Sequence, residues 1–120
     1  MKILVAEDNP TLLKLISIKL TDEGHDVLSC ANGKEALEKM LSWLPELIIT
    51  DLMLPYNSGM EIIHFAKSNL KGIFIMVLSG IGQEKTIEEA FKLGADDYMR
   101  KPFNLSELSI RAKKISNTQI

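Results

Sequence analysis

The sequence predicts an α/β domain built on one parallel sheet with helices on both faces. Three observations predict it. Short runs rich in Ile, Val and Leu recur along the chain and barely alternate with polar residues, as strands buried on both faces do. Between them lie stretches whose apolar residues return every three or four positions, the mark of helices with one face to bury. The two kinds of segment alternate, five of each, and such alternation calls for parallel strands joined by right-handed crossovers.

Each element has its own signals. Ile3 to Ala6 is the first strand. Asn9 followed by Pro10 reads as the cap and first residue of a helix. Leu13, Ile16 and Leu20 form its stripe, and Gly24 stands where it ends. Asp26 to Cys30 is more polar, as an edge strand should be. Asn32 and Glu35 have the offset of a capping box, and Leu37, Met40, Leu41 and Leu44 are expected to share the buried face of the second helix. Leu47 to Thr50 is the third strand. Ile62, Ile63, Ala66 and Leu70 mark the third helix, and Ile73 to Leu78 the fourth strand. Ile87, Ala90 and Phe91 repeat the helical spacing, with Gly94 at its close. Asp97 to Arg100 is a second edge strand. Asn104 and Glu107 open the last helix, striped by Leu105, Leu108, Ala112 and Ile115.

Composition limits the function. A length of 120 residues fits one domain and leaves no room for two. A net charge of −2 gives no general attraction to nucleic acid or anionic membrane. The one cysteine, Cys30, cannot form an intrachain disulfide, which favours a reducing, cytoplasmic setting. The apolar start of the chain stops at Glu7-Asp8, too early for an export signal. No segment approaches the ~18 apolar residues of a membrane span.

In parallel sheets of this kind, sites form at the carboxyl ends of the strands. The first strand ends in Glu7-Asp8, the third in Asp51, the fourth in Ser79-Gly80 and the fifth in Lys101-Pro102. The second ends in Cys30-Ala31, which adds nothing ionic. Two carboxylates ~4 Å apart repel by ~4 kcal/mol at an effective dielectric of about 20. A proton or a cation must therefore relieve the cluster. Few, hard oxygen ligands suit Mg²⁺, whose open positions accept phosphate oxygens. Lys101 offers a second positive charge and Ser79 a hydroxyl. A carboxylate such as Asp51 can attack phosphorus and form an aspartyl phosphate. Taken singly, each residue has a bland reading: helix cap, turn residue, turn hydroxyl, surface lysine. Gathered on one edge, they supply the positioning and charge neutralisation that phosphoryl transfer needs.

These residues bring out a resemblance that covers nearly the whole chain. Ile3-Leu4-Val5-Ala6-Glu7-Asp8-Asn9, Asp51-Leu52-Met53-Leu54-Pro55 with Gly59, Leu78-Ser79-Gly80, Gly94-Ala95-Asp96-Asp97-Tyr98 and Lys101-Pro102-Phe103 resemble the motifs of response-regulator receiver domains of two-component signalling. The resemblance implies a single flavodoxin-like domain over residues 1–120, with strand order 2-1-3-4-5. It implies Asp51 as phosphoacceptor, aided by Lys101 and Ser79. It implies Mg²⁺ held by Glu7, Asp8, Asp51 and the backbone carbonyl of Met53, with Glu7 acting through a water. Ser79 and Tyr98 become the switch pair, Gly59 closes the loop after the third strand, and the Lys101–Pro102 bond is expected to be cis.

The implied partners are a sensor histidine kinase and an output domain or protein, reached through the fourth helix, fifth strand and fifth helix. That face is also the expected surface of a homodimer. Neither nucleic acid nor membrane is expected to touch this domain directly. Several motifs look like those of receivers joined to winged-helix DNA-binding domains, by analogy alone. The chain would be no enzyme beyond promoting its own phosphorylation and slow dephosphorylation. Glu7 stands where many members have Asp, Ser79 where Thr is frequent, Gly80 where Ala is common and Ser58 where many have Asp; no essential group is lost. Met53 and Ile81 occupy positions that tune dephosphorylation, and both are apolar, which predicts a long-lived phosphoryl group.

Other features carry less. His25 and His64 have no ligand partner at metal spacing. Cys30 and Trp43 read as packing residues, and Gly80-Ile81-Gly82 is too weak a pattern for a nucleotide loop. Arg111, Lys113 and Lys114 read as a solvated helix face. A flavin carrier would need hydroxyls and glycines after the first strand, where Glu7-Asp8-Asn9-Pro10 would repel phosphate. An aspartate-nucleophile phosphohydrolase would want a second Asp where Met53 stands. The remaining alternative is a receiver-like interaction module that takes no phosphate.

Overall fold

A computed structural model describes residues 1–80 and 82–118. The elements are β1 (Lys2–Ala6), α1 (Pro10–Asp22), β2 (Asp26–Cys30), α2 (Gly33–Trp43), β3 (Leu47–Asp51), α3 (Gly59–Asn69), β4 (Phe74–Ser79), α4 (Glu84–Leu93), β5 (Asp97–Arg100) and α5 (Leu105–Thr118). The strands are all parallel, in the order β2-β1-β3-β4-β5. This is the predicted doubly wound, flavodoxin-like α/β fold.

The uniform apolarity of the central strands follows from two cores. Ile3, Val5, Leu47, Ile49, Met76 and Leu78 point to one face and meet Ile16 and Leu20 of α1 and Leu108 and Ala112 of α5. Leu4, Ala6, Ile48, Ile75 and Val77 point to the other and meet α2, α3 and α4. Alternate residues thus serve opposite cores, so neither set can be polar. β3 is buried throughout, while β2 and β5 at the edges carry exposed residues.

Two helical stripes differ from expectation. α2 buries Gly33, Ala36 and Met40, whereas Leu41 and Leu44 are about half exposed. Leu41 follows Met40 by one position and so lies ~100° around the helix. Leu44 is the C-cap, in the left-handed region at φ 56°. In α4, Phe91 leans outward while Ile87 and Ala90 are buried.

The predicted capping boxes are half formed. Asn32 Oδ1 accepts from the Glu35 N–H at 2.8 Å, but Glu35 returns to the Ala31 N–H rather than that of Asn32. Asn104 Oδ1 accepts from Ser106 and Glu107, while Glu107 turns to Arg111. The complete box belongs to Ser58 and Glu61 at the start of α3. Its S-x-x-E spacing is legible in the sequence.

Lys67, near the end of α3, forms a brace. Its Nζ donates to the Ile73 carbonyl at 2.9 Å and to Asp96 Oδ2 at 3.1 Å. Asp96 Oδ2 also accepts the Ile75 N–H. The Lys67 stem lies over Gly94, where a Cβ would come within 2.8 Å of Lys67 Cγ. These contacts fasten α3 to the amino-terminal end of β4 and to the approach to β5.

Candidate functional site

The carboxyl ends of β1, β3, β4 and β5 meet on one edge of the sheet. β3 delivers Asp51 there because every residue of the strand is buried and its register is fixed on both sides. Asp51 is 6% exposed. Its Oδ1 accepts the Met53 N–H at 3.0 Å, and its Oδ2 lies 2.6 Å from Lys101 Nζ. Glu7, just past β1, is fully buried. Its Oε1 lies 2.5 Å from the same Nζ, and its Oε2 accepts the Asp8 N–H. Asp8 itself is exposed and opens the cluster to solvent.

Glu7, Asp8 and Asp51 each bring a carboxylate oxygen to within 4.8 Å of the others. Three carboxylates face one ammonium, so the cluster carries more negative charge than Lys101 can balance. The consequence appears at Glu7. Burial pushes its carboxyl up to about 7, with Asp51 adding to the rise and Lys101 opposing it. Burial alone would push the Lys101 ammonium down, but its hydrogen bonds to Asp51 and Glu7 outweigh that and leave it raised. Hard oxygens around an excess negative charge, one of them open to water, fit Mg²⁺.

Ser79 closes β4. Its hydroxyl is buried and has no hydrogen-bond partner among the described residues. A buried polar atom normally finds a partner, so an unsatisfied one at this edge suits an incoming acceptor oxygen. The Lys101 N–H donates to the Ser79 carbonyl at 2.7 Å, which sets the two residues in fixed register. The Lys101–Pro102 peptide is cis. Tyr98 is 38% exposed, with its ring turned outward edge-to-face against Phe91 at 5.9 Å.

Two glycines shape the loop after β3. A Cβ on Gly59 would lie 2.3 Å from the Asp51 carbonyl oxygen, and one on Gly33 would lie 1.7 Å from that of Asn57. The resemblance to receivers pointed to Gly59, which begins α3 where this loop closes; nothing pointed to Gly33, because its constraint comes from a segment over twenty residues away. Met53 is two-thirds exposed. Ile81, named above for dephosphorylation, lies outside the described residues. His25 is buried in its turn, away from the site, with Nδ1 unpartnered among the described residues. Cys30 is buried, and burial pushes its thiol up to about 11.

Comparisons with known proteins bear on the family and the fold. The model of the response regulator receiver domain family matches residues 3–113. The chain is 36% identical over 114 residues to the alkaline phosphatase synthesis transcriptional regulatory protein PhoP of Bacillus subtilis, covering 95% of this chain and 48% of that protein. It is 40% identical to a response regulator of Streptococcus pneumoniae, covering 96% of this chain and 52% of the relative. The chain thus spans about half the length of these curated relatives. Among solved structures, a receiver domain protein from Clostridium thermocellum superposes with a TM-score of 0.91 at 32% identity, covering 98% of this chain and 95% of that one. The response regulator DrrB of Thermotoga maritima, an OmpR/PhoB homologue, gives 0.88 at 30% identity, covering 98% of this chain and 53% of its own. With its matched length, its strand order and the residues gathered at its strand ends, the chain belongs to the response-regulator receiver domain family of two-component signalling.

Proposed function

We propose that residues 1–120 form a phosphoacceptor receiver that takes a phosphoryl group on Asp51 from a sensor histidine kinase. The observation that carries the reading is Lys101 Nζ, held between Asp51 and Glu7 beside a third carboxylate. An Asp51 carboxylate oxygen attacks phosphorus, the phosphorus–nitrogen bond of the donor phosphohistidine breaks, and the imidazole leaves with the electron pair. Lys101 follows the charge onto the phosphoryl oxygens, and the Ser79 hydroxyl, unpartnered at rest, donates to one of them. Glu7, Asp8, Asp51 and the Met53 carbonyl would hold Mg²⁺, which when bound neutralises charge on the phosphoryl group.

The output is a population shift. Ser79 moves toward the phosphoryl group, and Tyr98, outward against Phe91 at rest, turns into the space released. The face of α4, β5 and α5 changes with it, to be read by an output domain or protein or by a second copy of this chain. The domain is cytoplasmic, contacts no nucleic acid itself, and performs no catalysis beyond its own phosphorylation and slow dephosphorylation. Among the described residues no helix is long and apolar enough to cross a membrane.

The test is intact mass after incubation with Mg²⁺ and acetyl phosphate, beside Asp51→Ala and a metal-free control. A gain of one phosphoryl group that needs both Asp51 and Mg²⁺ is the expected result. No gain in the presence of bound Mg²⁺ and of a competent kinase would leave the interaction module.

A further inference from the structure

Gln83 stands at the start of α4 but does not serve it as a cap. Its backbone carbonyl accepts the Ile87 N–H at 2.9 Å. Its side chain makes no cap bond to the helix among the described residues. It turns back instead, and Oε1 accepts the Gly80 N–H at 2.5 Å. The pairing of β4 with β5 ends at Ser79, opposite Arg100. Gly80 directly follows this last paired residue of β4, and its N–H goes to the Gln83 side chain. One residue before it is the buried, unpartnered Ser79 hydroxyl.

We infer that Gln83 is a positioning residue that ties the strand end carrying Ser79 to the first turn of α4. This rests on the reading of Asp51 as phosphoacceptor and of Ser79 as the group that shifts. A shift of Ser79 carries the Gly80 amide with it. Gly80 cannot move without straining or breaking its bond to Gln83 Oε1, and the Gln83 carbonyl is already part of the α4 hydrogen-bond chain. Movement at the strand end therefore reaches α4 through two hydrogen bonds in series, separate from any rotation of Tyr98. Among the described residues the Gln83 side chain bonds to Gly80 and to neither Asp51 nor Lys101, so its role is transmission, not chemistry. Gly80 leaves the tie room: a Cβ there would sit 3.7 Å from Gln83 Oε1, an ordinary contact.

The test uses Gln83→Met, which keeps length and removes the acceptor, and Gln83→Glu, which keeps an acceptor oxygen. In unmodified protein, hydrogen exchange of the Gly80 amide should quicken about threefold to tenfold in Gln83→Met, the worth of one net hydrogen bond, and stay protected in Gln83→Glu. On treatment with acetyl phosphate and Mg²⁺, Gln83→Met should gain the same mass as wild type. Its Ser79 and Gly80 amide resonances should shift as in wild type, while the shifts of Glu84 to Ile87 shrink by half or more. Unchanged Gly80 exchange, or a full α4 response without the acceptor, would overturn the inference. Wild type that gains no phosphoryl group from acetyl phosphate or from a competent kinase would defeat the phosphoacceptor reading instead, and the Gly80 exchange would still decide whether the tie exists.

Discussion

Lys101 Nζ stands 2.6 Å from Asp51 Oδ2, joining two residues fifty positions apart in the chain. The same ammonium holds Glu7 at 2.5 Å. Removing it leaves two buried carboxylates facing each other. Breaking a fully buried pair costs about 3–5 kcal/mol. Lys101 is about a quarter exposed and Glu7 can take up a proton, so Lys101→Met should cost less, about 1–3 kcal/mol by urea unfolding. Phosphoryl uptake from acetyl phosphate should slow by roughly 10²-fold, as when a single charge-stabilising donor is lost. Unaltered uptake would remove Lys101 from the chemistry.

Ser79→Ala should separate stability from switching. The hydroxyl is buried without a partner among the described residues, and an unsatisfied polar group costs about 1–3 kcal/mol to bury. The alanine variant should therefore be as stable as wild type, or more stable by up to about 1 kcal/mol. Its response at Tyr98, read by ring resonances after phosphorylation, should be lost. A clear fall in the urea midpoint would mean that the hydroxyl has a partner at rest.

Gly59→Ala should damage the site without touching its chemistry. The added Cβ would fall 2.3 Å from the Asp51 carbonyl oxygen. Backbone must give way, at a typical cost of about 1–3 kcal/mol for overpacking. Thermal unfolding checks the loss. Phosphorylation should fall with it, because Asp51 and Gly59 cannot both keep their places.

His25 should make the fold sensitive to mild acid. Burial and the nearby N-terminal amine hold its imidazole below the ordinary value of 6.5, with Glu23 opposing. The unfolded chain then binds the proton more readily than the folded one, so stability rises with pH. The contribution is whole above pH 6.5 and declines as pH falls below it. A proton NMR titration should give His25 a midpoint below 6.5. His25→Phe should narrow the difference in urea midpoint between mild acid and neutral pH.

Much of this was legible in the sequence, for a physical reason. Strand ends lie together in a parallel sheet whatever the details of packing, so Glu7, Asp8, Asp51, Ser79 and Lys101 could be grouped from strand positions alone. The order of the strands came from the resemblance to receivers, since alternation does not determine it. Side-chain direction within a helix was less legible. Leu41 and Leu44 fit a stripe by spacing, yet the face that α2 buries carries Gly33, Ala36 and Met40 and leaves those leucines about half exposed. Gln83 was illegible because nothing local distinguishes a side chain that caps its helix from one that reaches back.

The brace from Lys67 to Ile73 and Asp96 divides the sheet into an anchored rim and a working rim. Asp96 also holds the Ile75 N–H, so β4 is pinned near its beginning and bears Ser79 at its end. A displacement that starts at Ser79 therefore meets a fixed boundary within a few residues. Under the proposed switch, that boundary would leave the helix and the edge strand alongside as the course of the movement. The range of the signal is set less by the site than by where the molecule refuses to yield.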